Sequence, residues 1–258
     1  NMTNQPIFIS RDMGWVNKVM SSVHHTPFSR IKSIFADITE DEARAKGYIK
    51  GKLKKEEVFS LLKRTTIPTT VYKKQKMDRD DVVDITDFDV VAWLKTEMRM
   101  MLNEELARAY LVGDGRLASS DDKINETNIR PIWTDEDLYT IKAVFTAKAD
   151  ADTNAKEFIR TIVKARKDYK GSGNPVLFTT EDMLTDCLLL TDNEGRDLYD
   201  SVEKLTKKLR VSEIVTVPVM EGLTSEVAGK TRTLFGIVVN LNDYNVGADK
   251  GGAVNMFD

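Results

Sequence analysis

A chain of 258 residues with 38 basic residues, 41 acidic residues and a formal net charge of -3 is long enough to bury a sizeable core in one or two domains. The mild acidity excludes a strongly basic surface, and with it tight electrostatic binding of nucleic acid by the whole molecule, leaving weak or local contact. The single cysteine, Cys187, excludes an intramolecular disulfide, and no Cys or His spacing matches a zinc or redox motif.

Between Pro6 and Pro27, Trp15, Val16, Val19 and Met20 stand at helical spacing and predict one short helix in an N-terminal arm. From Arg44 to Asp81 the composition changes. Lys50-Gly-Lys-Leu-Lys-Lys55 and Tyr72-Lys-Lys-Gln-Lys76 are basic, Thr65 to Val71 favours strand, and Asp78 to Asp81 is acidic. Two strands in a long charged hairpin are expected there, too poor in apolar residues to bury itself and shaped to lie on another surface. The clearest element follows. A helix capped by Thr86 or Asp87 carries Val91, Leu94, Met98, Leu102, Leu106 and Ala109 at intervals of three and four and ends at Gly113. At 1.5 Å per residue, about 25 residues span roughly 37 Å.

A second helix is expected near Thr134, with Asp135, Glu136 and Asp137 at the positive end of its dipole. A third runs from about Asn154 to Tyr169 and stops at Gly171-Ser-Gly173. Pro175 to Thr179 reads as a short buried strand, and Thr180 with Glu181 and Asp182 opens a helix through Leu190. After the polar corner Thr191 to Tyr199 come a helix over Leu198 to Leu209, strands over Val211 to Val219 and Thr233 to Asn240, and between them a polar connection from Glu221 to Arg232. Helices and strands mix without a regular βαβ repeat, which gives an α+β class. No apolar run reaches the length of a membrane span, and the first residues lack the layout of a signal peptide, so assembly in the cytosol is expected.

Chemistry is sparse. His24 and His25 are adjacent, and their nearest carboxylates in sequence are Asp12 and Asp37, which makes a shared metal difficult. Gly113-Asp-Gly115 follows a helix, whereas a phosphate cradle needs a strand before its glycines and a helix after them; a helix C-cap and turn is expected instead. Cys187 lies among leucines as a small buried hydrophobe, and Met98, Met100 and Met101 read as helix core and flank. There is no G-x-S-x-G elbow. No catalytic, cofactor or metal set emerges. A hydrolase reading would have to use Asp114 or the Asp192 and Glu194 carboxylates.

Two segments carry a resemblance. Glu104-Glu-Leu-Ala-Arg-Ala-Tyr-Leu-Val-Gly-Asp-Gly115 and Leu188-Leu-Leu-Thr-Asp-Asn-Glu-Gly-Arg-Asp-Leu-Tyr199 together resemble the major capsid proteins of tailed bacteriophages, of the Hong Kong 97 phage type. Val215-Thr-Val-Pro-Val219 and a later strand with Phe235-Gly236 continue that family's order. The resemblance implies an N-terminal arm at 1–42, an extended hairpin loop at 43–82, a peripheral domain with a long spine helix at 83–173, an axial domain at 174–244, and at 245–258 a return to the peripheral domain that the chain does not complete. It implies pentamers and hexamers that close into an icosahedral shell around DNA, assembled in the bacterial host cytoplasm. The partners it implies are neighbouring subunits, a scaffold, a portal, a maturation protease and weakly held DNA, with no cofactor and no membrane. Lys50, Lys52, Lys54, Lys55, Lys73 and Lys74, with Asp192, Glu194 and Arg196, become candidate subunit contacts, and Gly113, Gly115 and Gly195 become structural turns. A bacterial compartment shell of the encapsulin kind would keep the fold and change the cargo to protein.

Overall fold

The computed structural model describes residues 12–27, 31–36, 61–72, 90–227 and 229–248, and the backbone alone at 31–36, 61–63 and 90–91. Helix α1, Gly14–Ser22, forms where the sequence spacing predicts it and buries Trp15, Val16 and Val19. The Asp12 carboxylate accepts the Gly14 N–H at 2.8 Å and satisfies one of the free donors at its start. The helix does not stand away from the body. Its apolar face packs with Leu111, Phe178, Ile237 and Leu241 in one cluster, and strand β1, His24–Thr26, continues it by pairing in parallel with the last described strand, β9, Asn245–Gly247. Opposite ends of the described chain thus close over the same core. His24 and His25 are exposed on β1.

Strand β2, Ile31–Ala36, pairs antiparallel with β3, Leu61–Thr66, in the register Ile31 to Thr66 and Ala36 to Leu61. One half of the ladder therefore comes from residues placed by sequence in the arm, because a strand partner thirty residues away leaves no local signal. The spine helix α2, Val90–Leu111, has 22 residues and at 1.5 Å each is about 33 Å long. Its burial is uneven. Ala107, Ala109, Tyr110, Leu111 and the following Val112 are buried, whereas Leu94, Met98 and Leu102 are half-exposed and lie outside both apolar clusters. Among the described residues, it is the C-terminal end of the spine that anchors in the core.

The helix expected from Thr134 is absent. After the short α3, Glu126–Ile129, Ile132 and Trp133 donate their N–H groups to the Tyr110 and Leu111 carbonyls, at 2.9 and 3.0 Å. This caps the spine's free C-terminal acceptors and holds the chain out of helical geometry. The Asp135 carboxylate is engaged by Arg64 instead of capping a helix, and residues 134–150 form turns and irregular chain.

Helix α4, Ala151–Ala165, is capped by Asp150 and buries Ala155, Phe158, Ile159 and Ile162. Strand β4, Val176–Thr179, follows. It is the centre of a mixed sheet, parallel to β5, Ile214–Thr216, and antiparallel to β8, Gly236–Val239. Helix α5, Glu181–Leu188, is capped by the Thr180 hydroxyl, which accepts the Met183 N–H. Helix α6, Val202–Leu209, starts four residues later than expected, because Ser201 is the residue whose side chain can cap it. The expected polar connection at Glu221 to Arg232 is a hairpin, β6 (Thr224–Val227) with β7 (Lys230–Thr233). Its strands are polar on both faces, so no apolar alternation betrays them.

Strand β4 divides the interior. Phe178 faces a cluster with Trp15, Val19, Leu111, Met220 and Ile237. Leu177 faces a second cluster with Phe158, Ile159, Met183, Leu205 and Leu209. Gly236 lies against the second cluster, since a Cβ there would meet Leu177 and Phe158 side-chain atoms at 3.1 Å.

Candidate functional site

At the end of the spine helix the chain reverses through Gly113 (φ +86°) and Gly115 (φ +68°), both in the left-handed region that glycine adopts without strain. A Cβ on Gly113 would sit 2.4 Å from a Glu126 carboxylate oxygen. Between the glycines Asp114 is 3% exposed. Its Oδ1 accepts Lys123 Nζ at 2.7 Å and the Arg116 N–H at 3.1 Å, and its Oδ2 accepts the Ile124 N–H at 2.7 Å. Glu126 completes the group by accepting the Asp114 N–H at 3.1 Å and Lys123 Nζ at 3.0 Å. Burial alone would raise the Asp114 pKa. The Lys123 ammonium and the Ile124 and Arg116 amides outweigh it and hold the carboxyl down to about 2. Burial also works against the Lys123 charge, but Asp114 and Glu126 hold its pKa above the usual lysine value. Asp114 is thus a permanent anion with both oxygens engaged, which ties the 115–124 loop to the spine.

The corner at 191–199 is a closed local structure. Thr191 and Asp197 form a β-bridge, and Asp192 N–H donates to the Arg196 carbonyl at 2.8 Å. The Asp192 Oδ1 accepts the N–H groups of Glu194 at 2.8 Å and Arg196 at 3.0 Å. Arg196 pairs in turn with Glu194 and, at 3.5 Å, with Asp192. Gly195 has φ +78°, and nothing lies within 4 Å of a Cβ built there. Gly195→Ala is therefore expected to lower stability by about 1 kcal/mol through backbone strain alone. A urea titration checks it, and an unchanged midpoint would show that the turn adapts.

A shallow groove between α5 and the β6–β7 hairpin is lined by Asp182, Asp186 and Glu221 beside Thr180, Met183 and Phe235. Burial first, then the hydrogen-bonded Asp182 and the charge of Glu181, push the Glu221 carboxyl up. Among the described residues no group of three or more His, Cys, Asp or Glu could hold a metal ion. Cys187 is buried in the second cluster, and burial with the nearby Asp186 pushes its thiol up to about 12, so it serves as a small apolar group.

No family model and no curated protein matches this chain. A solved structure does. It is a chain of the capsid of a native gene transfer agent (GTA) particle computed with C5 symmetry, similar over 97% of this chain and 81% of that one, with a TM-score of 0.59 at 11% sequence identity. The fold is phage-capsid-like.

Within this capsid-like fold the sequence-predicted residues separate clearly. Asp192, Glu194 and Arg196 meet one another in the corner, with Arg196 and Glu194 about 70% exposed. Gly113 and Gly115 are left-handed just after the spine's end. Lys50, Lys52, Lys54, Lys55, Lys73 and Lys74 lie outside the described residues. Missed by sequence reasoning were Lys123 and Glu126, whose partner Asp114 lies about ten residues upstream, and Arg64, whose partner Asp135 lies 71 residues away. The pairing of Asp114 with Lys123 follows no fixed period, so no motif could have shown it. Among the described residues no helix is long and apolar enough to cross a membrane.

Proposed function

We propose that this chain is the structural subunit of an icosahedral bacteriophage shell of the Hong Kong 97 type, assembling into pentamers and hexamers that enclose a DNA genome. The observation that carries the reading is the likeness of nearly the whole chain to a capsid subunit of the gene transfer agent particle, at 97% coverage. In this reading residues 1–42 are the arm, 43–82 the extended hairpin loop, 83–173 the peripheral domain around the spine, 174–244 the axial domain, and 245–258 a return to the peripheral domain. The lysines at 50, 52, 54, 55, 73 and 74 meet acidic surface on a neighbour. The carboxylates of the Asp182, Asp186 and Glu221 groove are one such surface, because three acidic side chains line it and a neighbour's cation there offsets the burial and the Asp182 and Glu181 repulsion that together raise Glu221. The exposed corner at 192–196 faces other copies around the symmetry axes. Repetition by symmetry turns modest contacts into a strong shell. Scaffold, portal and maturation protease act on the shell during assembly in the host cytoplasm, and packaged DNA touches it weakly, as the net charge of -3 requires.

The test is negative-stain microscopy of the purified chain over a range of concentration and salt, with nuclease and protease protection of any contents. Rings or closed shells of uniform diameter with nuclease-protected DNA are expected. Shells that protect a co-purified protein instead would replace the phage reading by a compartment of the encapsulin kind. A monodisperse monomer under every condition would overturn self-assembly of this chain.

A further inference from the structure

Residues 64–72 join neither apolar cluster, and the described ties between this stretch and the body of the molecule are led by Arg64. Its Nη1 donates to Asp135 Oδ2 at 2.8 Å, with side-chain exposures of 17% and 9%. The same guanidinium lies over the Tyr139 ring, 4.2 Å from its centroid. The receiving side is arranged independently of the strand. Arg130, in a left-handed backbone conformation (φ 56°), reaches Asp135 at 3.9 Å and Glu136 at 3.3 Å. Lys142 Nζ donates to the Asp135 carbonyl at 3.0 Å. A lighter tie follows the strand, where the Ile67 N–H donates to Asn128 Oδ1 at 3.2 Å. The clamp also abuts the core. Burial, then the Tyr110 phenol and the Asp135 carboxylate, push the pKa of the Tyr244 phenol up, while Arg64 pulls it down.

We propose that Arg64, held between Asp135 and Tyr139, is a releasable strap that sets the direction in which the β2–β3 ladder leaves the core, and that opening it lets the ladder pivot while both apolar clusters stay folded. The physical reason is the kind of bond involved. Apolar burial is lost only by exposing surface to water, but an ion pair and a stacked guanidinium can be exchanged for equivalents on another molecule at small net cost. A planar, five-donor guanidinium suits the dual contact, and a lysine would keep the charge while losing the stack and the fork. Asp135 keeps Arg130 when Arg64 leaves, so opening does not strand a buried carboxylate alone. The strap belongs to the isolated chain and stands apart from the capsid reading.

Two spin labels test it, one on Thr69→Cys beyond the strap and one on Lys164→Cys on the exposed face of α4, in a protein whose own Cys187 is buried and unreactive. The unmodified strap should give one narrow distance. Arg64→Gln and, separately, Asp135→Asn should broaden or shift it and speed exchange of the Ile67 amide by about tenfold, with α4 and β4 amides as protected as before. Arg64→Lys should fall between. An unchanged distance in both Arg64→Gln and Asp135→Asn would overturn the proposal. So would loss of α4 and β4 protection in step with the ladder, which would make the clamp an ordinary part of the core.

Discussion

Asp114→Ala should be among the most damaging single substitutions in this chain, lowering the free energy of unfolding by about 3–5 kcal/mol. Removing the carboxylate leaves the Lys123 ammonium with Glu126 and the Arg116 carbonyl only, and the Ile124 amide, otherwise buried, without its acceptor. Asp114→Asn should cost less, because one amide oxygen can still accept from Ile124, although its NH₂ then faces Lys123. A paired change, Asp114→Ala with Lys123→Met, should recover part of the loss, since the charge left without its buried partner is gone. Urea titration of the three proteins decides it. A loss below about 1 kcal/mol for Asp114→Ala would mean that the 115–124 loop rearranges freely and that Asp114 does not tie it to the spine.

The same residue predicts an acid limb. Asp114 titrates at about 2 in the folded chain against 3.8 ordinarily, so the folded state binds its proton less readily than the unfolded one. The stabilisation is complete above about pH 4 and is lost as pH falls through about 2. The drop from 3.8 to about 2 corresponds to roughly 2–3 kcal/mol at about 1.4 kcal/mol per pH unit. Asp114→Asn should flatten that limb of the stability curve, and a curve of unchanged steepness would assign the acid sensitivity to other carboxylates.

What was legible in the sequence was what local physics encodes. The α1 helix, the spine, the cap at Thr180 and the Gly113–Gly115 turn each rest on residues within one or two turns of each other, where spacing and capping carry the information. The corner was legible for the same reason, since Asp192 accepts from amides two and four residues ahead and Gly195 supplies the left-handed step. Lost to sequence were features set by distant partners. Thr134 followed by three acidic residues is a good helix start, yet the spine's carbonyls claimed Ile132 and Trp133, and Arg64 claimed Asp135. The α1 helix could be placed but not its neighbours, since Leu111, Phe178 and Leu241, which it packs against, lie about ninety or more residues away in sequence. Of the candidate contacts, the corner could be built from its residues, whereas the groove at Asp182 and Glu221 joins two elements 39 positions apart and leaves no pattern in the sequence.

Strand β4 provides the second large effect. Phe178→Ala should cost about 3–5 kcal/mol and Leu177→Ala about 2–5 kcal/mol, the range for deleting a buried aromatic or leucine side chain. Both are almost fully buried, at 0% and 1% exposure. The period-2 alternation of the strand sends them to opposite faces, so the damage should spread in opposite directions. Phe178→Ala should loosen α1 and the C-terminal end of the spine, which share its cluster. Leu177→Ala should loosen α4, α5 and α6, which share the other. Hydrogen exchange resolved along the chain reads this directly, because partial openings expose amides in contiguous units. Faster exchange confined to the expected side in each variant would establish two layers that can open separately on either side of one central strand. Equal acceleration everywhere in both would show instead that the two clusters melt as one core and that β4 divides them in geometry only.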